Sequence, residues 1–118
     1  RTHQIYGVDF GEKLTFDSSL MYGAVASGEV DVISAYTTDG RVAAYDLLLL
    51  DDPYNAMLSY DAMILGSERI TQRPKIMDVL ARLANRITDS DMREANRMVD
   101  VEGLPVSTAV AFLQSAID

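Results

Sequence analysis

Lys13-Leu14-Thr15-Phe16 alternates polar with apolar residues, the period-two signature of a half-buried strand, and Asp17-Ser18-Ser19 then offers side chains able to cap a helix. Leu20, Met21, Ala24 and Val25 recur at helical spacing, and Gly28 stands where a left-handed residue closes such a helix. Val30-Asp31-Val32-Ile33-Ser34-Ala35-Tyr36 reads as a mostly buried strand rich in β-branched residues. Strand, helix and strand in succession predict a parallel pair with a right-handed crossover. Thr37-Thr38-Asp39-Gly40 concentrates turn formers at the carboxyl end of the second strand, where open α/β sheets place their binding groups. Residues 41–46 predict a short helix. Leu47-Leu48-Leu49-Leu50 is too short for an isolated helix and reads as a buried strand, stopped by Asp51-Asp52-Pro53. An irregular connection to residue 59 follows, then a short strand over 60–65 ended by Gly66-Ser67.

Beyond residue 67 the period changes to that of helices. Residues 72–84 place Ile76, Val79, Leu80 and Leu83 on one face. Thr88 with Asp91 resembles a capping box for a helix from Asp89 to about Asp100. A third helix is expected from Pro105, suited to a first turn, with Val106, Val110 and Leu113 together. The expectation is therefore α/β in the first half and helical in the second, without internal repeats.

Composition narrows the function classes. At 118 residues, 48% hydrophobic and 24% charged, the chain is long enough and apolar enough to fold around a core. Its 10 Lys+Arg against 18 Asp+Glu give a net charge of −8, which argues against nucleic acid, since binders that track phosphates need a basic stripe. Cysteine is absent, which removes disulfides, thiolate zinc sites and Cys nucleophiles. The longest apolar stretch, 42–50, is broken by Asp46 and falls well short of the ~20 residues of a membrane span. There is no initiator Met, so any signal peptide lies outside these residues, and a chain opening with Arg1 is expected to have been cut from something longer.

Few residues carry chemistry. His3 has no Ser or carboxylate at a spacing that would make a triad or metal site, and reads as a solvated surface residue. Asp51 and Asp52 could pair for acid–base work or hold a cation, but neighbours on a strand point apart, so a solvated strand terminus is expected. The glycines form neither a GxGxxG nor a Walker loop. No metal or cofactor is implied. Tyr22 and Tyr45 sit among core-spaced residues and read as packing groups, whereas Tyr36 and Tyr60 stand where a buried strand meets a polar loop and a ring can face a cleft. Such ring faces attract a quaternary ammonium, at about 0.5–2 kcal/mol per ring.

Leu20-Met21-Tyr22, Gly28-Glu29-Val30-Asp31-Val32-Ile33 and above all Ala35-Tyr36-Thr37-Thr38-Asp39-Gly40-Arg41 resemble the substrate-binding proteins of osmoprotectant ABC importers, which take glycine betaine, carnitine or choline. The likeness continues through Tyr45-Asp46-Leu47, Leu50-Asp51-Asp52, Tyr60-Asp61-Ala62, Leu80-Ala81-Arg82-Leu83, the Met92, Asn96 and Val99-Asp100 helix, and Val110-Ala111-Phe112-Leu113. It covers nearly the whole chain. The resemblance implies a partial α/β fold of the type II periplasmic-binding-protein class, residues 1–58 being part of the second lobe and 59–118 the mainly helical return to the first. Family members box the trimethylammonium group with tyrosines from both lobes, and Tyr36 and Tyr60 match two of them. Asp39 and Arg41 match family positions too and are possible secondary ligand contacts. The family usually has Phe and two prolines before the second tyrosine; here the segment is Tyr54-Asn55-Ala56-Met57-Leu58-Ser59.

The function so implied is extracytoplasmic binding of a quaternary ammonium compound, periplasmic or anchored at the outer face of the cell membrane, for handover to an ABC permease. Relatives in this group also carry ergothioneine. A second possibility is a regulatory or protein-interaction domain that kept the fold and lost transport. No residue set suggests an enzyme. As an isolated piece, the chain is expected to self-associate through strand edges and helix faces left uncovered.

Overall fold

The computed structural model describes residues 2–117. In chain order its helices are α1 (Thr2–Tyr6), α2 (Met21–Ala26), α3 (Gly40–Ala44), α4 (Glu68–Thr71), α5 (Pro74–Ala81), α6 (Asp89–Asp100) and α7 (Val106–Ile117). α6 starts where its cap is strongest. The Thr88 side chain accepts the Asp91 N–H at 3.1 Å, and the Asp91 carboxylate accepts the Thr88 N–H at 3.1 Å, which completes the capping box. Gly103, at φ +69°, turns the chain back so that α7 packs against α6. Ala95 and Ala109 are buried there, small enough for the two helices to approach closely.

α2 ends as expected, with Gly28 in the left-handed region at φ +75°. It begins later than its capping residues suggest. Asp17 instead bonds the Ser19 N–H at 3.0 Å and the Ser19 hydroxyl at 2.9 Å, forming a turn ahead of the helix, and these bonds hold its carboxyl below the ordinary range. α3 overlaps the short helix predicted over 41–46 but starts one residue earlier and ends two residues sooner. The single helix expected over 72–84 is shorter: α5 starts at Pro74 and gives way to turns by residue 82. α1 and α4 carried no sequence signal.

The α/β expectation is corrected in one respect. None of the predicted strands, 13–16, 30–36, 47–50 and 60–65, is paired, and no strand exists among the described residues. A helix closes its backbone hydrogen bonds within itself, whereas a strand needs a neighbour at about 4.8 Å. These segments run without one. None of their apolar side chains is consequently buried, and Leu48 and Leu65 are exposed by 85% and 86%, where burial was expected. The radius of gyration, 17.9 Å, exceeds the about 13.5 Å of a compact domain of this length.

What core exists is small: Tyr22, Ala24, Val42, Ala56, Ala95 and Ala109 are buried. Tyr22 fulfils its reading as a packing group, but Tyr45 is half exposed. α3 crosses α6 at Gly40. A Cβ there would stand 2.4 Å from the Arg97 nitrogen and 2.5 Å from its Cα, so only glycine lets the two backbones meet.

Candidate functional site

The loop from Tyr36 to Arg41 is fixed from two sides. Asp39 caps α3 and accepts the Arg41 N–H at 2.9 Å. Arg41 returns its Nε to the same carboxylate oxygen at 2.9 Å and an Nη to the other at 2.7 Å, a two-pronged ion pair. Its guanidinium lies 4.2 Å above the Tyr22 ring centroid and donates to the Ser18 carbonyl at 3.1 Å, which ties the loop to the approach of α2. The Arg41 bond holds the Asp39 carboxyl down at about 2. Tyr22 is fully enclosed; its hydroxyl lies beside Asp39 without completing a hydrogen bond of ordinary geometry. Burial, with Asp39 adding to it, pushes that phenol up to about 12.

From the other side α6 reaches the same loop. Thr37 Oγ1 donates to the Asp89 carboxylate at 2.6 Å, Arg93 Nε donates to the Thr37 carbonyl at 2.6 Å, and Asn96 Nδ2 donates to the Thr38 carbonyl at 2.7 Å. Spacings of four and three put these side chains on one helix face. Their partners lie more than 50 residues away in sequence, so no local pattern announced them.

At the head of this loop stands Tyr36. Its ring meets that of Tyr60 with centroids 5.7 Å apart and planes at 74°, an edge-to-face pair. The tyrosines singled out from sequence are thus brought together, and with exposures of 60% and 75% they form two walls of an open corner. Asp39 and Arg41 engage each other, and Arg41 stacks on Tyr22, so neither is seen to touch the two rings. The rings touch each other edge to face, so a cation at this corner would rest against the outward, exposed part of a ring face.

The chain before Tyr60 is shaped by a contact the sequence reading missed. Asp52 is half-buried, not a solvated strand terminus: it accepts the Ala56 N–H at 2.9 Å and the Met57 N–H at 2.7 Å, and the Tyr6 hydroxyl donates to it. That hydroxyl in turn accepts the Tyr54 N–H at 3.1 Å, while the Tyr6 and Tyr54 rings lie 5.3 Å apart. Burial and then Asp52 raise the Tyr6 phenol pKa. A carboxylate taking two successive N–H groups shapes the very segment that carries prolines in the resembling family. Asp51, by contrast, is exposed as expected.

His3 is exposed in α1, with Nδ1 3.2 Å from the Val8 carbonyl oxygen. Among the described residues no group of His, Asp and Glu is placed to hold a metal ion, and no helix is long and apolar enough to cross a membrane.

Residues 3–115 match the model of the substrate binding domain of ABC-type glycine betaine transport systems. The carnitine transport binding protein OpuCC of Listeria monocytogenes serotype 1/2a (strain 10403S) is 29% identical over 96 residues, 80% of this chain and 31% of that protein. A glycine-betaine-binding protein of Pseudomonas aeruginosa is 29% identical over 115 residues, 94% of this chain and 37% of that protein. A crystal structure described as a glycine betaine/carnitine/choline ABC transporter superposes with a TM-score of 0.84 at 32% identity, covering 98% of this chain and 44% of that one. The chain thus spans about a third of the length of these curated relatives.

Proposed function

Given that the chain belongs to the family of substrate-binding domains of ABC-type glycine betaine transport systems, we propose that it serves extracytoplasmic capture of a quaternary ammonium compound for an ABC-type importer. Glycine betaine, carnitine and choline are the ligands named for its relatives and structural neighbour. Residues 1–58 are assigned to part of the second lobe of a type II periplasmic-binding-protein fold, and 59–118 to the mainly helical return into the first lobe. The permease is the partner that receives the ligand. The family is one of solute receptors, so neither catalysis nor the interaction-domain alternative is favoured.

The observation that carries this proposal is the edge-to-face pair of Tyr36 and Tyr60, one from each assigned lobe. A ligand touching both rings binds the closed arrangement better than the open one, and that difference in affinity is what closes a two-lobed receptor. Asp39 and Arg41, the possible secondary contacts, act by shaping the turn that follows Tyr36. Isothermal titration of the full-length protein with glycine betaine, carnitine, choline and ergothioneine provides the test. Tyr36→Ala and Tyr60→Ala should each weaken binding about tenfold, the loss of one desolvated cation–π wall. Undiminished affinity in both variants overturns the assignment of these tyrosines.

A further inference from the structure

We infer that α6 is the positioning element of the ligand loop, with Asp89, Arg93 and Asn96 setting where the Tyr36 ring stands. This rests on the proposal that Tyr36 contacts ligand and extends it to residues outside the aromatic corner.

The geometry supports this in three steps. Arg93 and Asn96 take the carbonyls of Thr37 and Thr38, at 2.6 and 2.7 Å, so two consecutive peptide planes, beginning one residue after Tyr36, are oriented by one helix. Asp89 takes the Thr37 hydroxyl at 2.6 Å, which orients the side chain on the intervening residue. Gly40, with room for no Cβ against the α6 backbone, sets the distance at which these bonds can form. A loop held at three polar points and one backbone contact has little freedom to move its first residue.

α6 is also suited to the task. Its N-terminus is closed by the Thr88–Asp91 capping box, and it packs on α7, so the clamp is mounted on a braced helix and not on a second loop. The bonded groups at Asp89 and Arg93 are exposed, and exposed hydrogen bonds contribute modestly to net stability. Their removal should therefore move ligand affinity more than the melting temperature.

The test is a double-mutant cycle on the full-length protein, titrated with glycine betaine and accompanied by thermal melts. Arg93→Ala and Asp89→Ala should each weaken binding about three- to tenfold with little change in melting. Asp89→Asn, which keeps an oxygen for Thr37, should recover most of the loss. Placed on a Tyr36→Ala background, Arg93→Ala should cost nothing further, because its effect passes through that ring. If Arg93→Ala does not fold, Thr37→Val, which deletes the hydroxyl held by Asp89, carries the same expectation. Wild-type affinity in Arg93→Ala, or an equal loss with and without Tyr36, overturns the positioning role while leaving the aromatic corner standing. No loss in Tyr36→Ala itself overturns the corner and the positioning role with it.

Discussion

Two regions that both carry many apolar residues meet different fates in this molecule. Around α2, α3, α6 and α7, Tyr22, Val42, Ala95 and Ala109 are buried and the loop between Tyr36 and Arg41 is held by side chains from two directions. Between residues 47 and 67, Leu48, Leu50, Met63 and Leu65 stay in the open. Hydrophobicity alone does not separate the two. The first region consists of helices, whose backbone is satisfied before they pack; the second consists of extended segments, whose backbone and side chains are satisfied only together, by a neighbouring strand. Tyr36 belongs to the braced region and Tyr60 to the open one, so the candidate site lies along the seam between them.

The sharpest way to break this contrast is to place one methyl group in each region. Gly40→Ala drives a Cβ into the Arg97 backbone at 2.4 Å, where nothing flexible can yield, and should separate α3 from α6. Overpacking of this kind costs about 3 kcal/mol. Gly66→Ala meets only the Ile70 side chain, at 3.7 Å, and should change stability by less than about 0.5 kcal/mol. Urea unfolding of the two variants measures both; similar midpoints would mean that α3 and α6 are not packed as described.

How much was legible in the sequence follows the same divide. The capping box at Thr88 and Asp91, the left-handed Gly28 and the turn at Asp39 were readable because each motif is closed within four residues or so. The tyrosine pair was readable only through family resemblance, since period-two patterning reports which side chains share a face and not which segment lies alongside. The Tyr6–Asp52 contact, the bonds from Arg93 and Asn96, and the fit of Gly40 against Arg97 join residues 46 to 58 positions apart, and nothing local to either end encodes them. The missing strands fail for a related reason: their sequences specify a propensity, and the ladder needs a partner that the described residues do not provide.

That uncovered region makes the second, smaller prediction. The 118-residue polypeptide on its own should associate with a second copy through residues 60–65, whose backbone lies in no ladder and whose Ile64 and Leu65 are exposed. Ile64→Lys should weaken that association by about 2 kcal/mol, the value of one buried aliphatic side chain, roughly thirtyfold in dissociation constant. Sedimentation velocity over a concentration series would reveal it, and a monomer throughout would show that the open stretch does not seek a partner.

The smallest effect lies inside the braced region and distinguishes its polar bracing from its packing. Asp39 titrates at about 2 in the folded chain against an ordinary 3.8, because Arg41 bonds its ionised form. A lowered folded-state pKa means stability that is fully present above about pH 4 and is lost as pH falls through about 2. With both side chains partly open to solvent the contribution is on the order of 1 kcal/mol. Asp39→Asn should therefore be less stable than the parent chain by that amount at neutral pH. The gap should close between about pH 4 and pH 2, as the parent carboxylate also loses its charge. Other carboxylates titrate in both chains and cancel in the difference. A gap that persists unchanged at pH 2 would mean that Asp39 holds the loop through its shape and neutral hydrogen bonds, and that the charge pair with Arg41 adds nothing to the bracing.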